Sequence, residues 1–222
     1  MPQLIYTSWP GIDPDDAPAT IERFGDTEPA GLWFRSLGHR EGELVVFELW
    51  SDVVHFRRYR DRAMGRAAVR QHLARSYDLQ GPSFAFRCGV TATYPGLVHA
   101  HPRGRWIELD GEATVALFMW PKISLAQYRE AIEQTRGVLA GESGNGLLFA
   151  ADGPHDRDAW VVAHAWRHES ARQAHVEHAR KWNHRYIAGG PALERIARLR
   201  YAYYGHDCPT QLHNPVCPGG IA

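Results

Sequence analysis

The chain has 222 residues, 44% hydrophobic and 23% charged, enough for one large or two small folded units and far from the composition of disorder. Its 25 basic and 25 acidic residues leave a formal net charge of +0, so no global positive field draws in a phosphate backbone and nucleic acid is not an expected partner. No apolar run approaches the roughly 20 residues that span a bilayer. The start, Met1-Pro2-Gln3-Leu4-Ile5-Tyr6, lacks the basic region of a signal peptide, so a cytoplasmic protein without a membrane partner is expected. Cys88, Cys208 and Cys217 are odd in number and outline no disulfide framework.

In chain order, Leu4 to Trp9 reads as a first strand that Pro10 ends. Asp13-Pro14-Asp15-Asp16 offers acidic helix-start chemistry ahead of Ile21 and Phe24. Gly31 to Arg35 forms a second strand, Gly38 to Gly42 a polar turn, and Glu43 to Trp50 the third strand of a hairpin. Ser51 or Asp52 then caps a helix whose apolar positions Val53, Phe56 and Tyr59 fall at helical spacing. A fourth strand lies near Ser83 to Arg87.

The second half states the same order again. Thr114 to Trp120 is a strand ending in Trp120-Pro121, and Ser124 caps a helix carrying Leu125, Tyr128, Ile132 and Val138. Gly146-Leu147-Leu148-Phe149 matches Gly31-Leu32-Trp33-Phe34, and Trp160 to Trp166 matches Leu44 to Trp50. A helix from about Glu169 to Tyr186, a short helix near Pro191 to Ala197 and a strand from Leu199 to Tyr204 complete the unit.

Strand, helix, strand, strand, helix, strand is the ferredoxin-like order. A four-stranded sheet with helices on one face must bury its other face, and two tandem copies can do so sheet against sheet. The fold expected is therefore α+β, two tandem ferredoxin-like repeats forming a pseudo-dimeric α/β barrel. The units are residues 1–87, a connection over 88–112, residues 113–205 and a turn-rich tail over 206–222. The assembly is a monomer of this kind or a homodimer.

The element order, the glycine opening strand two, and a strand three ending in Trp with a His nine positions later (Trp166 and His175) resemble the antibiotic biosynthesis monooxygenase family of the dimeric α/β-barrel superfamily. The resemblance covers both halves and implies an oxygenase that takes a small aromatic, polyketide-like substrate and dioxygen. Anthrone oxygenases of that family place an Asn four residues before the Trp, where this chain has Val46 and Val162. The haem-degrading branch carries an Asn on strand one, which neither Leu4 to Trp9 nor Thr114 to Trp120 contains. Tandem members similar to this one include angucycline ring-opening oxygenases, which act with reduced flavin. The resemblance thus implies no tightly bound cofactor or a supplied reduced flavin, with haem as the alternative.

Strand alternation places Trp160, Val162, His164 and Trp166 on one face. The following helix brings His175 and His178, three apart, to one side. Aromatic rings supply stacking area and imidazole moves a proton near neutral pH. His175 is the expected base, His164 or His178 the donor to a developing oxyanion, and Trp166 with Trp50 the walls. Tyr59 and Glu48 hold the first-half positions of His175 and His164, so a second site of other chemistry, or none, remains open there. A Trp ending a core strand also serves packing alone, and His178 serves as an exposed helix residue. His206, Cys208, His213 and Cys217 match no standard zinc spacing, and no resident metal is expected. A non-enzymatic ligand-binding barrel is the remaining alternative.

Overall fold

The computed structural model describes residues 1–13, 15–18, 29–65, 82–90, 92–95, 103–121, 126, 146–156, 159–183 and 191–209. Among the described residues ten strands run in the order β1 (Gln3–Pro10), β2 (Leu32–Arg40), β3 (Glu43–Trp50), β4 (Phe84–Gly89), β5 (Ala92–Pro95), β6 (Trp106–Glu108), β7 (Thr114–Pro121), β8 (Leu147–Asp156), β9 (Ala159–Trp166) and β10 (Leu193–Tyr204). Helix α1 (Val53–Gly65) follows β3, and α2 (Glu169–Asn183) follows β9. The chain is α+β, a largely antiparallel sheet with helices. No helix among the described residues is long and apolar enough to cross a membrane.

The strands form one sheet ordered β4-β1-β3-β2-β10-β7-β9-β8-β5, with β6 added beside β10. Pairing registers agree between the halves. Gln3 stands opposite Trp50 as Thr114 stands opposite Trp166, and both β2 and β8 are bulged one residue after their first pair, at Leu32/Phe34 and Leu147/Phe149. Gly31 and Gly146, each with positive φ, open these strands, and each carbonyl accepts the backbone N–H that follows the partner tryptophan, at 2.7 Å. β4 pairs β1 and β5 pairs β8, so consecutive stretches of chain join one half to the other. β10 likewise pairs β7 and then β2.

One face of the sheet packs into a core drawn from both halves, including Leu4, Tyr6, Phe47, Leu117, Val161 and Ala163. Phe34 and Phe149, equivalent by register, stack there at 5.3 Å. The Tyr204 hydroxyl donates to the Leu148 carbonyl at 3.0 Å across the same junction. The opposite face carries separate clusters, one around Trp160 and Trp166 and one around Trp50 and Tyr203.

Several expected elements are corrected. The short helix near Pro191 to Ala197 is strand: Leu193 to Arg198 pairs with β7, and from Arg198 onward the strand pairs with β2, with an irregularity between Leu199 and Tyr201. A neighbouring edge with a full row of hydrogen-bond partners outweighs the helix-start signal of Pro191. The five-residue turn contracts to Glu41-Gly42, both at positive φ, so β2 runs to Arg40. The connection over 88–112 contains β5 and β6. Most of the helices expected after Asp13 and Ser124, and α2 beyond Asn183, lie outside the described residues, as do tail residues from 210 onward.

Gly38 has no room for a side chain, because an added Cβ would collide with the Arg198 carbonyl of β10. Gly38→Ala is expected to cost about 1–3 kcal/mol by forcing β2 and β10 apart. Thermal denaturation should show a Tm lowered by roughly 2–4 °C per kcal/mol.

Candidate functional site

Two acidic side chains set the starts of the helices. Asp52 caps α1, its Oδ1 accepting the N–H groups of Val54 and His55 at 2.8 and 2.9 Å. Glu169, in the first turn of α2, accepts from Thr114 Oγ1 at 3.1 Å, Arg172 Nε at 2.7 Å and Gln173 Nε2 at 3.1 Å. The Arg172 hydrogen bond is the main reason its carboxyl lies below the usual carboxylate range. This pins α2 to the first residue of β7 and sets His175, one turn beyond Arg172, over β9.

On β9, Trp166 is 0% exposed, His164 3% and, above them on α2, His175 6%. Trp166 Nε1 donates to His164 Nδ1 at 2.6 Å. The His175 ring lies 5.2 Å from Trp166 and 5.4 Å from His164 between centroids. Burial, with the nearby charges of His175 and Arg172, holds the His164 pKa well below its ordinary value. His164 is therefore neutral near pH 7, and with Nδ1 accepting from the indole its proton sits on Nε2. Phe118 adds a ring 5.5 Å from His164 and stacks on Trp120. Trp160 and Val162 continue the same face, as strand alternation requires.

The first half builds a different object on the same positions. Trp50 Nε1 donates to Glu48 Oε2 at 3.0 Å, and Arg35 Nε donates to Glu48 Oε1 at 2.6 Å. The Arg35 guanidinium also lies 5.0 Å above the Tyr59 ring, which packs 5.1 Å from Trp50. Burial opposes the Arg35 charge, but Glu48 and then Tyr59 outweigh it, so its pKa lies above the usual guanidinium value.

The expected residues thus fall into two groups. His164, Trp166 and His175 meet directly, with Trp160 beside them. Trp50, Tyr59 and Glu48 form a separate cluster, so Trp50 and Trp166 do not wall one pocket. Trp50 ends β3 and Trp166 ends β9, and Phe34 of β2 stacks on Phe149 of β8. The His178 side chain lies outside the described residues, as do His213 and Cys217. Among the described residues no three His, Cys, Asp or Glu side chains are grouped to hold a metal ion.

Sequence reasoning missed Arg35, Arg172, Glu169 and Phe118. The Glu169/Arg172 pair was available as an i,i+3 ion pair, and Arg35 as the cross-strand partner of Glu48 once the turn is set at Glu41-Gly42. A cleft of about 810 Å³ opens beside Thr114, Glu169 and Arg172, with Arg40, Glu112 and Arg198 on its other sides. Arg172, whose charge acts on His164, lines this cleft together with Glu169.

No family model matches the sequence, and no curated protein matches it. Solved structures do match in fold. A "putative monooxygenase" of Fusobacterium nucleatum superposes with TM-score 0.57 at 11% identity, over 91% of this chain and 93% of that one. A "putative monooxygenase" of Lactobacillus acidophilus gives TM-score 0.53 at 9% identity, over 92% and 97%. A "putative chlorite dismutase" also gives 0.53, at 12% identity over 89% and 94%. Across nearly the whole chain, the fold is shared with these proteins.

Glu48→Ala would strand the Arg35 charge in the core and should destabilise the protein by about 3–5 kcal/mol in denaturant unfolding. His164 gives a pH effect of defined sign. Unfolding lets it bind a proton below its ordinary value of 6.5, so the unfolded chain binds more protons there and stability falls as pH drops below that value. The slope is at most about 1.4 kcal/mol per pH unit, and His164→Gln should remove it from a comparison at about pH 7.5 and about pH 5.5.

Proposed function

We propose that the chain is an oxygenase that uses dioxygen on an aromatic, polyketide-like small molecule at the second-half site. The supporting observation is the buried contact of two imidazoles beside Trp166, one of them held neutral with its proton on Nε2. The shared fold with monooxygenase-named structures agrees with this reading. The two halves are read as tandem repeats that complete one barrel within a single chain.

A ring methylene conjugated with an aromatic carbonyl is a carbon acid. His175 accepts its proton, and the remaining pair of electrons spreads into the ring system and onto the adjacent oxygen, where His164 Nε2–H donates a hydrogen bond. The carbanion is the reductant of dioxygen. For a methylene, CH₂ plus O₂ gives C=O plus H₂O, so atoms and electrons balance with no outside reductant. The aromatic rings of Trp166, Trp160 and Phe118 offer stacking surface and exclude water.

Hydroxylation or ring opening would need two further electrons, which a supplied reduced flavin provides when bound. The described residues are not fitted to hold either candidate group. Arg40, Arg172 and Arg198 around the cleft are balanced by Glu41, Glu112 and Glu169, which makes no cradle for a flavin phosphate. His175 packs against Trp166 and His164 rather than facing a slot for a haem.

His175→Ala should lower turnover of a hydroxyanthrone about 10²–10⁴-fold while leaving its binding intact, as measured by dioxygen uptake and by titration. Unchanged turnover removes His175 as the base. A Soret band that survives dialysis of the purified protein would replace this reading with a haem protein, and binding without turnover would leave a ligand-binding barrel.

A further inference from the structure

The cleft beside the start of α2 carries charge that its backbone does not demand. Gln3 stands opposite Trp50 on one side and Gly89 on the other, as Thr114 stands opposite Trp166 and Arg198. Val53 and Phe56 follow Trp50 at the distances at which Glu169 and Arg172 follow Trp166. The same local arrangement is therefore built once with Gln3, Val53, Phe56 and Gly89, none of them charged. Glu169, Arg172 and Arg198 put charge where that set has none, and all three line the cleft of about 810 Å³. Small-molecule sites run to roughly 300–1,000 Å³, so the space suits a ligand far larger than one ion.

The lining charges balance in number but not in place. Arg40 is held by Glu41 and Arg172 by Glu169, while Glu112 lies 3.6 Å from His168. Arg198 has no side-chain partner among the described residues. It is exposed, between Thr114 on β7 and His39 on β2, and directly paired residues share a face. Arg172 is only 8% exposed, and Glu169 engages its guanidinium along one edge, through Nε and Nη2. Nη1 has no protein acceptor yet is not sealed from solvent. The planar end that Nη1 shares with Nη2 matches a second carboxylate. One unmatched cation and one half-used guanidinium suit a single negative charge on planar oxygens, whereas a phosphate chain would also meet Glu41, Glu112 and Glu169. The Ile196 side chain and the arginine planes favour a flat apolar body attached to that charge.

We propose that this cleft binds a small aromatic monocarboxylate, its carboxylate held by Arg198 from the sheet and Arg172 from the helix, and its ring against Ile196. These residues are not those of the buried histidine pair, so the site stands with or without the oxygenase reading.

Calorimetric titration of the intact chain with 2-naphthoate in low-salt buffer tests this. One equivalent should bind. Arg198→Gln, an exposed change that leaves no buried charge behind, should weaken binding at least about tenfold with Tm unchanged. Arg172→Lys keeps the charge and loses the planar edge, and should weaken binding at least about threefold in a variant shown by circular dichroism to be folded. The neutral isostere 2-naphthylmethanol and inorganic phosphate should each bind at least about tenfold more weakly than the acid. Arg60→Gln, on the exposed face of α1, should keep the affinity within about twofold. No binding of 2-naphthoate, full affinity in Arg198→Gln or in folded Arg172→Lys, or equal affinity for the alcohol or for phosphate would overturn the proposal. Equal weakening by Arg60→Gln would show general attraction of anions and overturn it too.

Discussion

Each half of the protein must satisfy one indole N–H at the end of its third strand. Trp50 and Trp166 are completely buried, and an unpaired donor there would cost about 1–3 kcal/mol. The acceptor comes from the residue two positions earlier, on the same face of the strand. In one half it is a carboxylate, and a buried carboxylate demands a cation, which brings Arg35 and closes the space. In the other it is an imidazole, which accepts the same hydrogen bond without charge. Its neighbours across the sheet are Ala116 and Ala150. A single choice of acceptor thus separates a filled cluster from a candidate site on the same backbone.

The charged groups around His164 follow the same logic. Arg172 on α2 places a positive charge near His164, and that charge is shared with Glu169, which is itself tied to Thr114. That arrangement fixes the helix start and keeps positive charge close to His164, which further disfavours its protonation. The histidine is held neutral by where it sits, and the helix above it is held in place by an ion pair at the edge of the cleft. Stability and the proposed chemistry draw on the same residues.

Much of this was legible in the sequence, and the reasons differ by feature. The strands ending at Trp50 and Trp166 showed as period-two apolar runs with turn or cap residues on both sides, and both form, with Gln3 opposite Trp50 and Thr114 opposite Trp166. The His164, Trp166 and His175 contact followed from alternation and helical spacing. The strand at Leu193 was not legible, because its conformation is imposed by β7, far away in sequence. Trp50 and Trp166 fall in separate clusters, which local pattern does not reveal. Arg35 was hidden for the same reason: its meaning depends on the register across the hairpin, and a turn placed over five residues rather than two obscured it.

The proposed chemistry depends most on the state of His164. Histidine-selective ¹⁵N NMR of the intact protein reads that state directly, since the two ring nitrogens resonate differently when protonated and when bare. The prediction is a neutral ring with the proton on Nε2, unchanged as pH is lowered through the ordinary imidazole value of 6.5, and a Trp166 indole proton shifted by its short hydrogen bond. A ring that titrates near that value, or one that carries its proton on Nδ1, would contradict the account.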